Sequence, residues 1–431
     1  MSKNFRLRLL HIISNLKLSI SLLLFIALVT MFGTFIEQDK GIDFYKLNYP
    51  VEKPILGMIS WQSIQFLGLD HLYSNLWFYL LLLFFSFSLI TCTFSKQVPM
   101  LKVARTWRFI SKPIQFNKLA LSVSKIIKNV SCSTFVLNRQ GYFVFQQNKQ
   151  IYAYKGLIGR ISPIVVHISI ICILLGSIIA SITGFVVQEV VPKGELFHIQ
   201  NVLSAGNFSR IPQDLIGEVD DFWIKYNKQG SIDQFFSNIS LKDSNNNVLK
   251  QATISVNSPL NFHGVSIYQT DWNITGLKIA VNDQILQLPA QSNLTRNNVS
   301  VWSSHLSIGN DILQQYIFII RDLKGSIDVY DGNQQFLFTQ QLKNSFLCDD
   351  FDITILDVLT STGLQIKSDP GIPIIYLGFF LLMISTTLSY LTYSQIWINF
   401  SSHLTTCGGA SNRAVVSFEE EFYKIFLSMK N

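Results

Sequence analysis

The chain has 431 residues, 48% of them hydrophobic and only 14% charged, a balance that excludes an ordinary soluble globule. Its net charge of +7 is the sum of opposed regions, so a uniformly basic nucleic-acid binder is excluded as well. The five cysteines are scattered, with no CxxC and no CxxCH, which excludes a thiol–disulfide carrier and a c-type cytochrome.

Four stretches are long and apolar enough to cross a bilayer, which takes about 20 residues. They are residues 18–36, 76–94, 161–187 and 372–396. Backbone facing lipid must satisfy its own hydrogen bonds, so each is predicted to be a helix. The predicted fold class is a multi-pass α-helical membrane protein: four transmembrane helices, with a large exported β-rich domain between helices 3 and 4.

Residues 1–17 open with MSKNFRLR, which carries three basic groups. The first apolar stretch lacks a clear small-residue cleavage site, so it is read as a retained helix rather than a signal or transit peptide. The loop 37–75 is predicted on the opposite face from the N-terminus. Trp77 and Tyr79 sit where an aromatic belt is expected, and His71, just outside the apolar core, reads as interfacial.

The loop 95–160 holds 12 Lys and Arg, and no acidic residue occurs between Asp70 and Glu189. Positive-inside reasoning places this loop, the N-terminus and the tail 397–431 on the cytoplasmic or stromal side. That topology accounts for the basic loop without nucleic acid. Within the loop, residues 142–147 and 150–154 alternate aromatically around Asn148-Lys149, which predicts a β-hairpin. Pro163 is expected in the first turn of the third helix, where a missing N–H does no harm.

His167 is the chain's most informative residue. Residues 161–187 carry no Lys, Arg, Asp or Glu, and the other three helices carry no histidine. An ionisable side chain at that depth is functional by default, and an imidazole is a ready metal ligand. Gly176, Ala180 and Gly184 form a small-xxx-small stripe that admits a second helix. Nine residues at about 100° each put Gly176 opposite His167, leaving the histidine a face of its own. The plain alternative is an interhelical hydrogen bond from His167 to a Ser or Thr. If His167 binds metal, the chain offers no obvious second ligand. That disfavours a four-ligand zinc site, whereas haem iron needs only one or two axial protein ligands.

Residues 188–371 hold 12 basic and 19 acidic residues, a net of −7. Short runs rich in β-branched and aromatic residues, separated by Asn, Asp and Gly, predict an antiparallel sandwich or barrel. Its only cysteine is Cys348, so no disulfide can form inside it. His263 reads as a turn residue before Gly264, and His198 and His305 have no supporting constellation. Asp369, followed by Pro370, is expected to cap the fourth helix, which does not exclude a functional role. No nucleophile–base arrangement, phosphate loop or metalloprotease motif is present, so no catalytic residue is assigned.

Several short motifs, in this order and topology, resemble the CcsB/ResB family of System II cytochrome c biogenesis, most closely its plastid and cyanobacterial branch. They are Lys155-Gly156 with Gly159-Arg160 and Pro163-Ile-Val-Val-His167; Asn257-Ser-Pro-Leu with Gly264 and Tyr268-Gln269; and Ser394-Gln-Ile-Trp with Gly409, Asn412-Arg413-Ala414 and Phe418-Glu419. The resemblance implies a subunit that is non-catalytic alone. With a CcsA-type membrane partner it would deliver haem b across the membrane for attachment to c-type apocytochromes. It implies that His167 is an axial ligand of that haem iron, shared with the partner, and that Asp369 matches the family's acidic residue before the last helix. It further implies a thylakoid membrane in a plastid, with the large domain in the lumen, or a cyanobacterial thylakoid or plasma membrane. The competing reading is a cofactor-free, membrane-anchored β-domain receptor or assembly scaffold.

Overall fold

The computed structural model describes residues 8–429 apart from 9, 53, 55–58, 126–129, 244, 283, 295–299, 308–314, 349–350 and 402–403. Most of the basic MSKNFRLR segment therefore lies outside the described residues, as does the side chain of Cys348. The chain divides into two compact units. One comprises residues 1–179 and 371–431, the other Ala180–Pro370.

The first unit contains the transmembrane helices. They span Leu16–Phe35, Leu76–Ala104, Ile158–Thr183 and Ile372–Ser389. The first two pack through residues at heptad spacing. Ser19, Ile26 and Gly33 are the buried positions of the first helix, and Ser19 and Ser88 share a 2.9 Å hydrogen bond between their hydroxyls. Phe78, Leu82, Phe85 and Leu89 of the second helix form the core of this pair, with Ile170, Leu174 and Ile178 of the third against them.

The third and fourth helices meet along an antiparallel seam of small residues. Ser162, Ser169 and Gly176 are buried on one helix, with Gly378 and Ser385 buried on the other. Ser162 Oγ donates to Ser385 O. A Cβ on Gly378 would lie 3.0 Å from Ser169 O, and a Cβ on Gly176 would lie 3.1 Å from Gly371 O. Three pairs, each a heptad apart, thus bring the backbones together, as small residues permit in lipid, where apolar burial gives no driving force. The predicted stripe is realised at Gly176; Gly184 falls just beyond the helix.

Four boundaries differ from the hydropathy reading by more than two residues. The second helix runs on to Ala104, past the predicted end at Phe94. The third helix begins at Ile158, which puts Pro163 inside it rather than in its first turn. It ends at Thr183, and residues 185–187 belong to the strand Phe185–Pro192. The fourth helix ends at Ser389, and residues 394–396 begin the strand Ser394–Phe400. In both cases the apolar run continues past the helix because the strand that follows is buried too. Hydropathy alone cannot separate these two forms of burial. Asp369 does not cap the fourth helix: the cap position is Gly371, with no side-chain bond, and the proline in the first turn is Pro373.

The basic loop and the C-terminal tail build one domain between them. Leu121–Lys125, Phe143–Gln147 and Gln150–Lys155 join Ser394–Phe400 and Thr405–Ser411 in a five-stranded sheet, with the expected hairpin at its edge. Asn148 takes the left-handed conformation the tight turn requires, with φ 50°. The helices Val130–Arg139 and Val415–Ser428 supply Leu137, Phe418, Phe422 and Ile425 to one core of this domain. Phe116, Tyr152 and Trp397 form a second, aromatic core.

The second unit is antiparallel β throughout. Two long strands, Val265–Val281 and Phe351–Ser368, pair along their length at the centre of an eleven-stranded sheet. Register shifts between Gln269 and Asp271, and between Ile274 and Gly276, bend this pair as bulges do. On one side of the bend, Val187, Ile267, Leu364 and Ile366 face Val219, Ile239 and Ile254 of a separate four-stranded sheet, which makes a sandwich. On the other, Ile279, Phe318, Ile327 and Ile355 fill a second core against the coiled large sheet.

Candidate functional site

Seen from the third helix, three stripes at heptad spacing have different surroundings. Ser162, Ser169 and Gly176 face the fourth helix. Ile161, Ile168 and Leu175 are exposed, 38%, 46% and 42%. Arg160, His167 and Leu174 share the remaining stripe, and Leu174 packs into the core built on the second helix. His167 therefore does have a face of its own, and what it meets there is the second helix.

The two side chains it meets are Thr93 and Gln97, which bracket a π-helical turn, Thr93–Gln97. Its widened bond runs from Val98 N–H to Thr93 O. Pro99 follows and has no N–H to give, so the carbonyls here lose regular i−4 partners, a recognised cause of such a turn. The turn brings Thr93 Oγ1 to 2.8 Å from His167 Nδ1 and Gln97 Nε2 to 3.1 Å from His167 Nε2. Turns of this kind are frequent at functional sites.

One tautomer of the imidazole keeps the Thr93 bond to its own helix. In it the single Thr93 hydroxyl proton is donated to Leu89 O at 2.8 Å, a carbonyl that can only accept. Thr93 then accepts from His167, so Nδ1 carries the ring hydrogen and Nε2 carries the lone pair. The Gln97 amide donates to that lone pair, while Gln97 Oε1 is left buried without a partner. A metal-ligating histidine is normally held by this same device, with one nitrogen pinned by an outer partner and the other free to ligate.

Arg160, two turns before His167, lays its guanidinium over the Tyr393 ring at 5.4 Å, and its Nε is buried without a hydrogen-bond partner. Tyr393 is 3% exposed and donates from its hydroxyl to Ala104 O at 3.1 Å. Burial, together with the neighbouring Tyr152 hydroxyl, pushes the Tyr393 phenol above its ordinary value.

The other predicted residues do not join this site. His71 Nδ1 pairs with Asp70 at 2.8 Å. His263 occupies a left-handed turn position, φ 46°, and stacks on Phe262 at 4.2 Å between centroids. His198 and His305 are exposed on the β-rich unit. Asp369 lies in that unit with Oδ1 buried and unpartnered. Among the described residues no group of three or more His, Cys, Asp or Glu could hold a metal ion. A cleft of about 490 Å³ in the β-rich unit, lined by Lys193, Glu195, Asp220 and Asp357 among others, presents no His, Cys or Met to a soft metal.

Sequence reading missed Gln97 because the apolar run was cut at Phe94, before Lys96; Thr93 lay inside the run, one of several Ser and Thr residues that could meet His167. The available signal was Pro99 with two polar residues four apart, extending the helix beyond its apolar span.

The model of the ResB-like family matches residues 16–317 and 309–423. "Cytochrome c biogenesis protein Ccs1" of Pyropia yezoensis is 43% identical over 98% of this chain and 96% of its own length. The protein of that name from Thalassiosira pseudonana is 45% identical over 96% and 98%. "Cytochrome c biogenesis protein CcsB" of Trichormus variabilis is 41% identical over 98% and 93%.

Proposed function

This chain belongs to the ResB-like family, and on that footing we propose that it serves cytochrome c biogenesis as the haem-delivering subunit of a System II cytochrome c synthase. Its partner is a CcsA-type membrane protein, its cargo is haem b, and its clients are c-type apocytochromes. The membrane is a thylakoid, with the β-rich unit in the lumen and the basic domain in the stroma.

The observation that carries this reading is the state of His167. Its Nδ1 lies 2.8 Å from the Thr93 hydroxyl, and its Nε2 meets an amide whose own oxygen has no partner. The surroundings are apolar, with Leu89 and Leu174 close by in the same core. These residues fit haem iron as a half-site, with the opposite axial ligand supplied by the partner. Bound there, the iron would be held by His167 in a defined ligation state.

One observation favours the cofactor-free scaffold: both ring nitrogens already have partners within the chain. Removing the Nδ1 partner separates the two readings. In Thr93→Val, haem affinity of the purified complex is expected to fall about 10–100-fold, as loss of an outer-shell partner typically does. A scaffold would show no haem term to lose. Asp369, with its buried unpaired oxygen, is the second residue assigned to function, and Asp369→Asn tests its charge at constant shape.

The function itself is tested by replacement. Expressed in a cell lacking its own counterpart, the chain is expected to restore covalent haem on c-type cytochromes, read by haem staining of denaturing gels. Cytochromes that bind haem non-covalently should be unaffected by its absence. Full covalent haem in cells without the chain would overturn the proposal.

A further inference from the structure

We propose that Arg160 is the anchor for the haem propionates, so that this chain holds the cargo at two points, iron and carboxylate. The inference rests on the reading of His167 as the iron ligand and adds the residue that orients the macrocycle.

Four observations support it. First, seven residues bring the helix to within about 20° of two full turns, so Arg160 and His167 share a face about 10.5 Å apart along the axis. That separation, bridged by a long side chain, is comparable with the distance from the iron of haem to its propionate groups. Second, Arg160 has no ion pair among the described residues, whereas Lys155 nearby is matched to Glu421 at 2.8 Å. No acidic residue occurs between Asp70 and Glu189, so a partner for Arg160 would have to come from outside that segment, as Glu421 does for Lys155. Third, Nε is buried and makes no hydrogen bond. An unpaired donor on a charged group carries a desolvation penalty that an incoming carboxylate would relieve.

Fourth, the guanidinium is held in place. It stacks on Tyr393, whose hydroxyl is tied to Ala104 O and whose backbone N–H donates to Asn412 Oδ1 at 2.9 Å. A planar fork fixed over a ring is suited to bidentate recognition of a carboxylate, which a lysine cannot reproduce. Side chains on a helix lean toward its N-terminus, so the fork reaches toward the basic side while His167 lies deeper. Haem would enter with its propionates trailing toward that side and its iron leading.

The test compares haem b with its dimethyl ester, in which both carboxylates are blocked, on the chain purified with its CcsA-type partner. Wild type is expected to bind haem b at least about tenfold more tightly than the ester, the scale of one charged hydrogen-bonded contact. Arg160→Gln should weaken haem b about tenfold, leave the ester unchanged and keep the same absorption spectrum, since iron ligation is untouched. Arg160→Lys should fall between them. Equal binding of haem b and ester by wild type would overturn the proposal without any variant. Equal weakening of both ligands in Arg160→Gln would also overturn it, assigning the guanidinium to packing or to a lipid phosphate. Failure of the His167 reading has a different signature: a haem spectrum that His167→Ala leaves unchanged.

Discussion

His167→Ala, purified with its membrane partner, is expected to retain less than about a hundredth of the wild-type haem, because even an outer-shell partner is typically worth 10–100-fold in metal affinity. The substitution removes the only imidazole in the described membrane helices of this chain. It also opens a ring-sized space lined by Thr93 and Gln97. Imidazole added in millimolar amounts should occupy that space, with its N–H on Thr93 and its lone pair toward iron, and restore a low-spin spectrum. Rescue is the discriminating measurement, since a helix that had merely repacked would not respond to it. Haem content equal to wild type, without imidazole, would exclude His167 as a ligand.

Gly378→Val should disrupt the membrane core. An added Cβ would stand 2.7 Å from Ile173 Cγ1 and 3.0 Å from both Ile173 N and Ser169 O, so the obstruction includes backbone that cannot rotate away. The helices would have to part, breaking the Ser162–Ser385 bond and the approach at Gly176. A cost of roughly 2–3 kcal/mol is expected from overpacking of this kind. It would be read as a fall in thermal stability in detergent and faster proteolysis. Gly41→Val is the control, because a Cβ there meets nothing within 4 Å. Equal stability of the two variants would show that the seam does not hold the helices together.

The membrane architecture was legible because lipid imposes a length and a composition that few other structures share. Hydropathy located all four helices, and His167 stood out as an ionisable group in an uncharged run. The helix ends were not legible, since Phe185-Val-Val and Ile396 are as apolar in a buried strand as in a bilayer. Nor was the joining of two segments over 200 residues apart into one sheet, with Lys155 paired to Ser394. Long-range pairing leaves no local signal. The partners of His167 were hidden for a related reason: Thr93 and Gln97, four apart on one helix face, meet it across 70 or more residues of sequence. The Asp369 reading failed because the Asp-Pro preference is local, while the fourth helix starts two residues later, at Ile372.

Strand pairing at one end of the third and fourth helices braces the pair that carries His167. Lys155 is in register with Ser394 there. Sliding or turning either helix against its neighbour would break a ladder and the small-residue seam together. His167 therefore stands on a braced helix pair, and the irregular turn that meets it belongs to the second helix. A π turn holds one surplus residue. Passing that surplus along the helix rotates the side chains it leaves behind by about 100° and shifts them by about 1.5 Å. Passed through Gln97, that displacement would turn its amide away from Nε2. If His167 takes iron as proposed, the travel of a single-residue dislocation along the second helix would bare Nε2 and leave the helix pair in place.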